Sequence, residues 1–99
     1  MGKLVRDNIP EIIRRGGGEP DVRVLGVAEY RGALLAKLFE EATELREAPA
    51  DEVAGEIADV YEVLRAIAAV DGLEWDAVEK VADGKRAERG GFRDRLYLA

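Results

Sequence analysis

The sequence predicts an all-α fold, a helical bundle around a central antiparallel helix hairpin. Aromatic residues make up only 6% of the 99 positions, while Ala, Leu, Glu, Arg and Val dominate, which is typical of helical proteins. Apolar residues recur every three or four positions along two long stretches, which is the period of an α-helix. A chain of this length buries one core. We therefore expect a single domain over residues 1–99, with a homo-oligomer covering what one copy leaves exposed.

The first predicted element is a short helix in RDNIPEIIRRGGG. Asn8 suits the N-cap, Pro10 falls in the first turn, and the glycines 16–18 end the helix. Val22 and Val24 follow in a brief extended stretch, which is too short to found a sheet.

The second predicted helix is long and amphipathic and runs from about Ala28 to Ala48. Its apolar residues Leu34, Leu38 and Leu45 recur at helical spacing. Pro49 ends it, because the residue before a proline avoids the helical region.

The third predicted helix runs from about Asp51, as N-cap, to Val70, and Gly72 ends it. Its apolar stripe has steps of four, three, four and three and consists of Val53, Ile57, Val60, Leu64 and Ile67.

The fourth predicted helix starts near Glu74 and continues toward Gly90. Gly84 lies inside it and costs about 1 kcal/mol relative to Ala. The remaining residues, 91–99, are expected to be extended or irregular.

Composition narrows the possible chemistry. The chain has no Cys and no His, so it forms no disulfide or thiolate zinc site and has no imidazole base. A net charge of −6 argues against a nucleic-acid partner. No apolar stretch approaches the roughly 18 residues of a membrane helix, and the N-terminus lacks a signal-peptide core. We expect a cytoplasmic protein with no membrane partner.

Charge is distributed unevenly along the chain. Residues 29–62 carry ten acidic and three basic side chains, whereas residues 80–99 carry six basic and three acidic ones. An acidic middle and a basic tail suggest two zones that face one ligand.

The acidic residues of the two central helices are mirrored about the turn at residues 49–51. In an antiparallel hairpin, equal distance from residue 50 sets Glu44 opposite Glu56 and Glu41 opposite Asp59. The two layers lie about 4.5 Å apart, and axes about 8–10 Å apart let carboxylates from both helices reach a common point. Glu41 also lies between Leu38 and Leu45 in the apolar rhythm, which predicts that it faces the partner helix.

Oxygen ligands without Cys or His favour a hard ion such as Mg²⁺ or Mn²⁺. Because Mg²⁺ keeps waters or takes phosphate oxygens, the predicted substrate is a polyphosphate. Each acidic motif by itself is also typical of a solvated helix face. The mirrored pair is more specific.

The basic tail has two interpretations. Its residues Lys80, Lys85, Arg86 and Arg89, followed by Gly90 and Gly91, suit phosphate oxygens. Basic residues near a helix C-terminus also simply complement the helix dipole.

Four ordered segments, KLVRDNIPEII, KLFEEATELREA, EIADVYEVL and KRAERGGF, resemble the MazG-like superfamily of all-α NTP pyrophosphohydrolases, in particular its stand-alone house-cleaning branch. The resemblance covers nearly the whole chain. It implies a dimer or higher homo-oligomer that cleaves nucleoside triphosphates between the α and β phosphates, giving a monophosphate and pyrophosphate.

The resemblance also implies roles for individual residues. Metal ligands would be Glu41, Glu44, Glu56 and Asp59, with Glu40 and Glu41 catalytic and Glu40 orienting or deprotonating the attacking water. Substrate contacts would come from Lys80, Lys85, Arg86 and Arg89, with Lys3 and Arg6 added from the N-terminus. Asn8 stands where the branch commonly has Lys, and Gly84 interrupts the last helix.

Two alternatives remain. Phosphoribosyl-ATP pyrophosphohydrolases of histidine biosynthesis share the helical carboxylate site, although KLVRDNIPEII favours the house-cleaning branch. A non-catalytic helical interaction module would use the acidic stripe to bind a basic partner. The aromatic residues Trp75, Tyr61, Tyr30 and Phe92 suit either base stacking or core packing.

Overall fold

The computed structural model describes residues 2–99, and its regular elements are all helical. This confirms the all-α prediction. The helices are α1 (Ile9–Arg15), α2 (Val27–Glu47), α3 (Val53–Val70) and α4 (Trp75–Arg89), with a 3₁₀ turn at Ala50–Glu52. Helices α2 and α3 form the main packing unit, and α4 packs on α3 but not on α2.

The start and end of α1 follow local backbone geometry. Asn8 precedes the helix as predicted, but its side chain makes no capping hydrogen bond, because its own backbone is already helical at φ −90° and ψ −4°. Gly17 takes a φ of +93°, and Gly18 N–H donates to the carbonyl oxygen of Ile13 at 2.9 Å. A left-handed glycine followed by this bond satisfies the last free carbonyls of the helix.

The turn between α2 and α3 differs slightly from expectation. Ala48 is extended at ψ 137° because Pro49 follows it, so α2 ends at Glu47. Asp51 lies within the 3₁₀ turn, and Glu52 is the residue that precedes α3. The predicted N-cap at Asp51 is therefore wrong by one residue, since a turn of 3₁₀ helix comes first.

Helix α3 is rotated relative to the predicted stripe. Val53, Val60 and Ile67 are half-buried, but Ile57 and Leu64 are 53% and 40% exposed. Both residues lie beside the face that packs on α2, and Glu56 and Asp59 occupy positions on that face instead. The carboxylates thus take the packed side of the helix, and two large apolar residues turn outward.

Helix α4 is continuous through Gly84, contrary to the expected interruption. Gly72 has a φ of +75°, and Leu73 N–H donates to the carbonyl oxygen of Ala68 at 2.8 Å, which reverses the chain after α3. Trp75 and Val78 are half-buried against α3, while residues 79–99 are exposed throughout.

The described core is small. Its buried apolar residues are Leu34, Val63 and Ala68. The radius of gyration is 16.9 Å, against about 13 Å for a compact domain of this length. No helix within residues 2–99 is long and apolar enough to cross a membrane.

Candidate metal centre

Glu41 is the buried charged residue at the centre of the hairpin. It is 6% exposed and lies on the same face of α2 as the buried Leu34. The apolar rhythm of α2 predicts this orientation, and the structure confirms it. A carboxylate in this position loses most of its hydration, so it requires a cation or hydrogen-bond donors nearby.

Glu56 and Asp59 of α3 meet Glu41 across the hairpin. One carboxylate oxygen from each of the three residues lies within 4.8 Å of the others. The mirrored spacing therefore becomes spatial proximity, as the antiparallel register predicts. Glu44, the fourth predicted ligand, is exposed one turn closer to the loop, and its carboxylate interacts with that of Glu41.

Two buried carboxylate oxygens of these residues have no hydrogen-bond partner among the described residues. They are Oε2 of Glu41 and Oε2 of Glu56. Buried acceptors without partners are rare in folded proteins. The unpaired oxygens and the all-carboxylate donor set fit a hard divalent cation bound by Glu41, Glu56 and Asp59.

Burial and neighbouring carboxylates raise the pKa values of Glu41 and Glu56. Burial raises the pKa of Glu41 most, and neighbouring Glu44 raises it further, while Lys37 opposes both effects. Burial also raises the pKa of Glu56, with smaller contributions from Asp59, Glu41 and Glu52. Each carboxyl therefore holds its proton more tightly than usual unless a cation binds.

Two basic side chains reach the cluster from different directions. Lys37 Nζ lies 3.4 Å from both Glu40 Oε1 and Glu41 Oε1. Arg6 Nη2 lies 2.6 Å from Asp59 Oδ1. Arg6 was predicted to contact the substrate, and its pairing with Asp59 was not predicted. No local signal joins positions 53 residues apart.

A cleft of about 460 Å³ lies beside the carboxylates. The segment Leu4–Ile9 forms one wall, and Glu41, Asp59 and Glu62 are among the residues opposite. Tyr30 also lines it, so this aromatic residue is available to a ligand. The N-terminal segment that carries part of the family resemblance thus lies directly over the acidic cluster.

A smaller cleft of about 260 Å³ lies on the neighbouring side of α2. Lys3, Lys37 and Glu40 line it. The structure therefore brings the predicted catalytic Glu40 and the predicted substrate contact Lys3 together, next to Lys37 rather than among the three clustered carboxylates.

The basic residues of α4 are placed differently. Arg86 pairs with Asp83 at 3.3 Å and Arg89 with Glu88 at 3.5 Å, both within α4. Lys80 and Lys85 are exposed on the same helix. Neither of the two clefts described above is lined by a residue of α4.

Tyr61 and Trp75 pack against each other. Their rings meet edge to face with centroids 5.5 Å apart, which joins α3 to α4. The Arg65 guanidinium lies 5.6 Å from the Tyr61 ring and 5.4 Å from the Trp75 ring. Packing is thus the role the structure gives these two residues, whereas Phe92 is 97% exposed.

Comparison with known proteins adds one relative and no function. A protein of Mycolicibacterium smegmatis, described only as uncharacterized, is 52% identical over 54 residues, which is 54% of this chain and 55% of that protein. The chain thus spans about half the length of the curated relative it matches. No protein-family model and no solved structure matches.

Proposed function

We propose that the chain is a magnesium-dependent nucleoside triphosphate pyrophosphohydrolase that acts on non-standard nucleotides in the cytoplasm. The observation that carries the proposal is the convergence of Glu41, Glu56 and Asp59, with two buried carboxylate oxygens lacking partners. The resemblance of four ordered segments to MazG-like enzymes supplies the reaction, which is cleavage between the α and β phosphates.

Glu41, Glu56 and Asp59 hold Mg²⁺ or Mn²⁺ in this proposal, and Glu44 completes the set from the loop side. An ion held there would lower the pKa of a water molecule and neutralise phosphate oxygens. Cleavage consumes one water, whose oxygen bonds to phosphorus as the bridging bond breaks, releasing a monophosphate and pyrophosphate.

Glu40 accepts the proton of the attacking water at its carboxylate. The ion pair with Lys37 at 3.4 Å fixes the position of this carboxylate beside Glu41. Lys37, at 17% side-chain exposure, is the more buried partner of this pair. Lys3 lies at the same cleft, where it can meet a phosphate group.

The active form is proposed to be a homodimer or higher homo-oligomer. The chain exposes 8663 Å², whereas a folded monomer of 10.8 kDa exposes about 5,500 Å². The excess of roughly 3,000 Å² per chain, or roughly 6,000 Å² for a pair, reaches the upper end of the total area that obligate interfaces bury. The apolar face formed by Ile57, Tyr61 and Leu64 is the surface we assign to a second copy.

Oligomerisation also gives a role to the four basic residues of α4, which are Lys80, Lys85, Arg86 and Arg89. These residues line neither cleft within their own chain, so we propose that they reach the triphosphate in the site of a neighbouring copy. Sedimentation velocity of the parent chain should show a dimer or larger species. A monomer at micromolar concentration would contradict this part of the proposal alone.

The deciding experiment is a screen of standard and modified nucleoside triphosphates, with and without Mg²⁺, scored for pyrophosphate and orthophosphate. Pyrophosphate release that requires Mg²⁺ supports α–β cleavage. Orthophosphate as the first product, or no turnover of any nucleotide, contradicts it. Including phosphoribosyl-ATP separates the house-cleaning role from the histidine-biosynthesis alternative.

A further inference from the structure

The segment before α1 crosses the acidic cleft without joining it through backbone bonds. Within residues 2–8, the backbone carbonyls of Arg6 and Asn8 accept from Ile9 and Ile12, so both bonds run forward into α1. Leu4 and Ile9 are half-buried. The segment is therefore held over the α2–α3 hairpin by side chains, and Arg6 makes a polar contact with it.

That contact reaches one of the three clustered carboxylates. Arg6 Nη2 and Asp59 Oδ1 are 2.6 Å apart, a charge-assisted hydrogen bond. Glu41 shares Lys37 with Glu40 at the longer distance of 3.4 Å, and no described ion pair involves Glu56. The Arg6 guanidinium thus provides the closest positive charge to the cluster.

We propose that Arg6 is a positioning residue that occupies Asp59 until a divalent ion binds and then transfers to a phosphate oxygen of the nucleotide. This inference rests on the proposed function. A Mg²⁺ ion binds carboxylate oxygen at about 2.1 Å. An oxygen that accepts a guanidinium at 2.6 Å binds the ion less well while that bond persists, because the two cations repel each other.

The displaced guanidinium stays near the site. The Ile9 N–H to Arg6 carbonyl bond of 3.1 Å anchors the Arg6 backbone at the start of α1, and the segment forms one wall of the cleft. A planar guanidinium is well suited to phosphate oxygens. Binding of the ion therefore makes Arg6 available to the triphosphate, which couples the two binding events.

The size of the effect follows from exposure. The side chains of Arg6 and Asp59 are 55% and 41% exposed, and ion pairs at such sites contribute about 0–1 kcal/mol. Removing the pair should therefore tighten Mg²⁺ binding by up to about fivefold, since a tenfold change corresponds to about 1.4 kcal/mol. Replacement of the Arg6 guanidinium by the ion at Asp59 therefore costs little free energy.

The test measures Mg²⁺ binding by calorimetry for the full chain, Arg6→Ala and Arg14→Ala, alone and with an α,β-methylene nucleoside triphosphate. Arg14→Ala removes the same charge from the adjacent helix α1, where Arg14 pairs with Glu11 and lines neither cleft. We expect Arg6→Ala to bind Mg²⁺ alone more tightly, by up to about fivefold. We also expect it to lose part of the tightening that the analogue produces in the parent.

If Arg6 moves from Asp59 to the phosphate, Arg6→Ala binds Mg²⁺ alone more tightly but gains less affinity from the nucleotide analogue. These opposite changes distinguish the movement of Arg6 from the simple loss of one positive charge near the site. An Arg6→Ala affinity equal to or weaker than that of the parent, or an equal gain in Arg14→Ala, overturns the inference while leaving the proposed function intact. Full retention of the coupling in Arg6→Ala also overturns it. If the parent binds no Mg²⁺, the inference and the proposed function fail together.

Discussion

The α2–α3 hairpin and the second half of α4 both carry dense charge, but the fold treats them in opposite ways. In the hairpin, Glu41 is 6% exposed and meets two further carboxylates across the turn. In α4, every residue from 79 onward is exposed, and within residues 2–99 Arg86 and Arg89 form ion pairs only with near neighbours in the sequence. Acidic residues at mirrored distances from a turn are thus brought together by the hairpin, whereas basic residues clustered along one helix do not by themselves indicate where a site lies.

The largest effect should come from removing a clustered carboxylate. We expect Glu41→Gln and Asp59→Asn each to lower kcat/KM for the best nucleotide by about 100-fold or more, because even indirect supports of metal ligands are worth 10–100-fold. Steady-state pyrophosphate release measures this loss. Glu47→Gln, an exposed change on the same helix, is the matched control. If folded Glu41→Gln and Asp59→Asn variants turn over the nucleotide as fast as the parent, the clustered carboxylates of the hairpin are not the site of the reaction.

Magnesium should stabilise the folded chain by binding in the α2–α3 hairpin, and the basic residues of α4 should not contribute to this stabilisation. At a Mg²⁺ concentration 100 times its Kd, binding to the folded state adds about 2.7 kcal/mol to the free energy of unfolding. Glu41→Gln should lose most of this gain, whereas Arg86→Ala should retain it. Thermal unfolding with Mg²⁺ or with EDTA measures both. An unchanged melting temperature in the parent would favour the helical interaction module over the enzyme.

Neutralising the tail should affect substrate binding more than chemistry. We expect the double variant Lys85→Ala, Arg86→Ala to raise KM about tenfold with kcat nearly unchanged, because contacts made equally in ground and transition states contribute to binding only. The double variant Arg14→Ala, Arg15→Ala, whose side chains pair with Glu11 in α1, removes the same charge and is the control. A KM equal to that of the parent would leave the tail with helix-dipole complementarity as its role.

The smallest effect is a pH dependence without metal. The pKa of Glu41 is raised above its ordinary value of 4.5, so its contribution to stability is full below pH 4.5 and is lost as the pH rises through the folded-state pKa. Glu41→Gln has no such titration. The free energy of unfolding of Glu41→Gln minus that of the parent should therefore increase between pH 4.5 and 7 in EDTA. Urea denaturation at several pH values measures the difference, and a constant or falling difference contradicts it.

Local rules explain which parts of the fold were predictable. Pro49 and Gly72 fix the ends of α2 and α3 through backbone geometry, so the hairpin and its register follow from the sequence. Gly84 was expected to interrupt α4, yet the helix continues, because a cost of about 1 kcal/mol is small when neighbouring residues favour the helix. The error at Asp51 arises because helix ends are often 3₁₀ turns.

The candidate site was partly predictable for a similar reason. Glu41, Glu56 and Asp59 converge as their spacing from the turn predicts. Glu44 obeys the same mirror rule but is exposed near the loop. The rule gives the level of a residue along the helices, whereas the rotation of each helix decides whether its side chain points between them.

The sequence by itself determined the helices, the turn between α2 and α3, and the levels at which carboxylates face each other, because these depend on the helical period and on Pro and Gly backbone preferences. Only the tertiary structure decided that Ile57 and Leu64 face outward and that Arg6 reaches Asp59. It also decided that the basic half of α4 stays exposed. These features depend on how helices rotate and pack, which reflects summed contacts between distant residues rather than preferences of neighbouring ones.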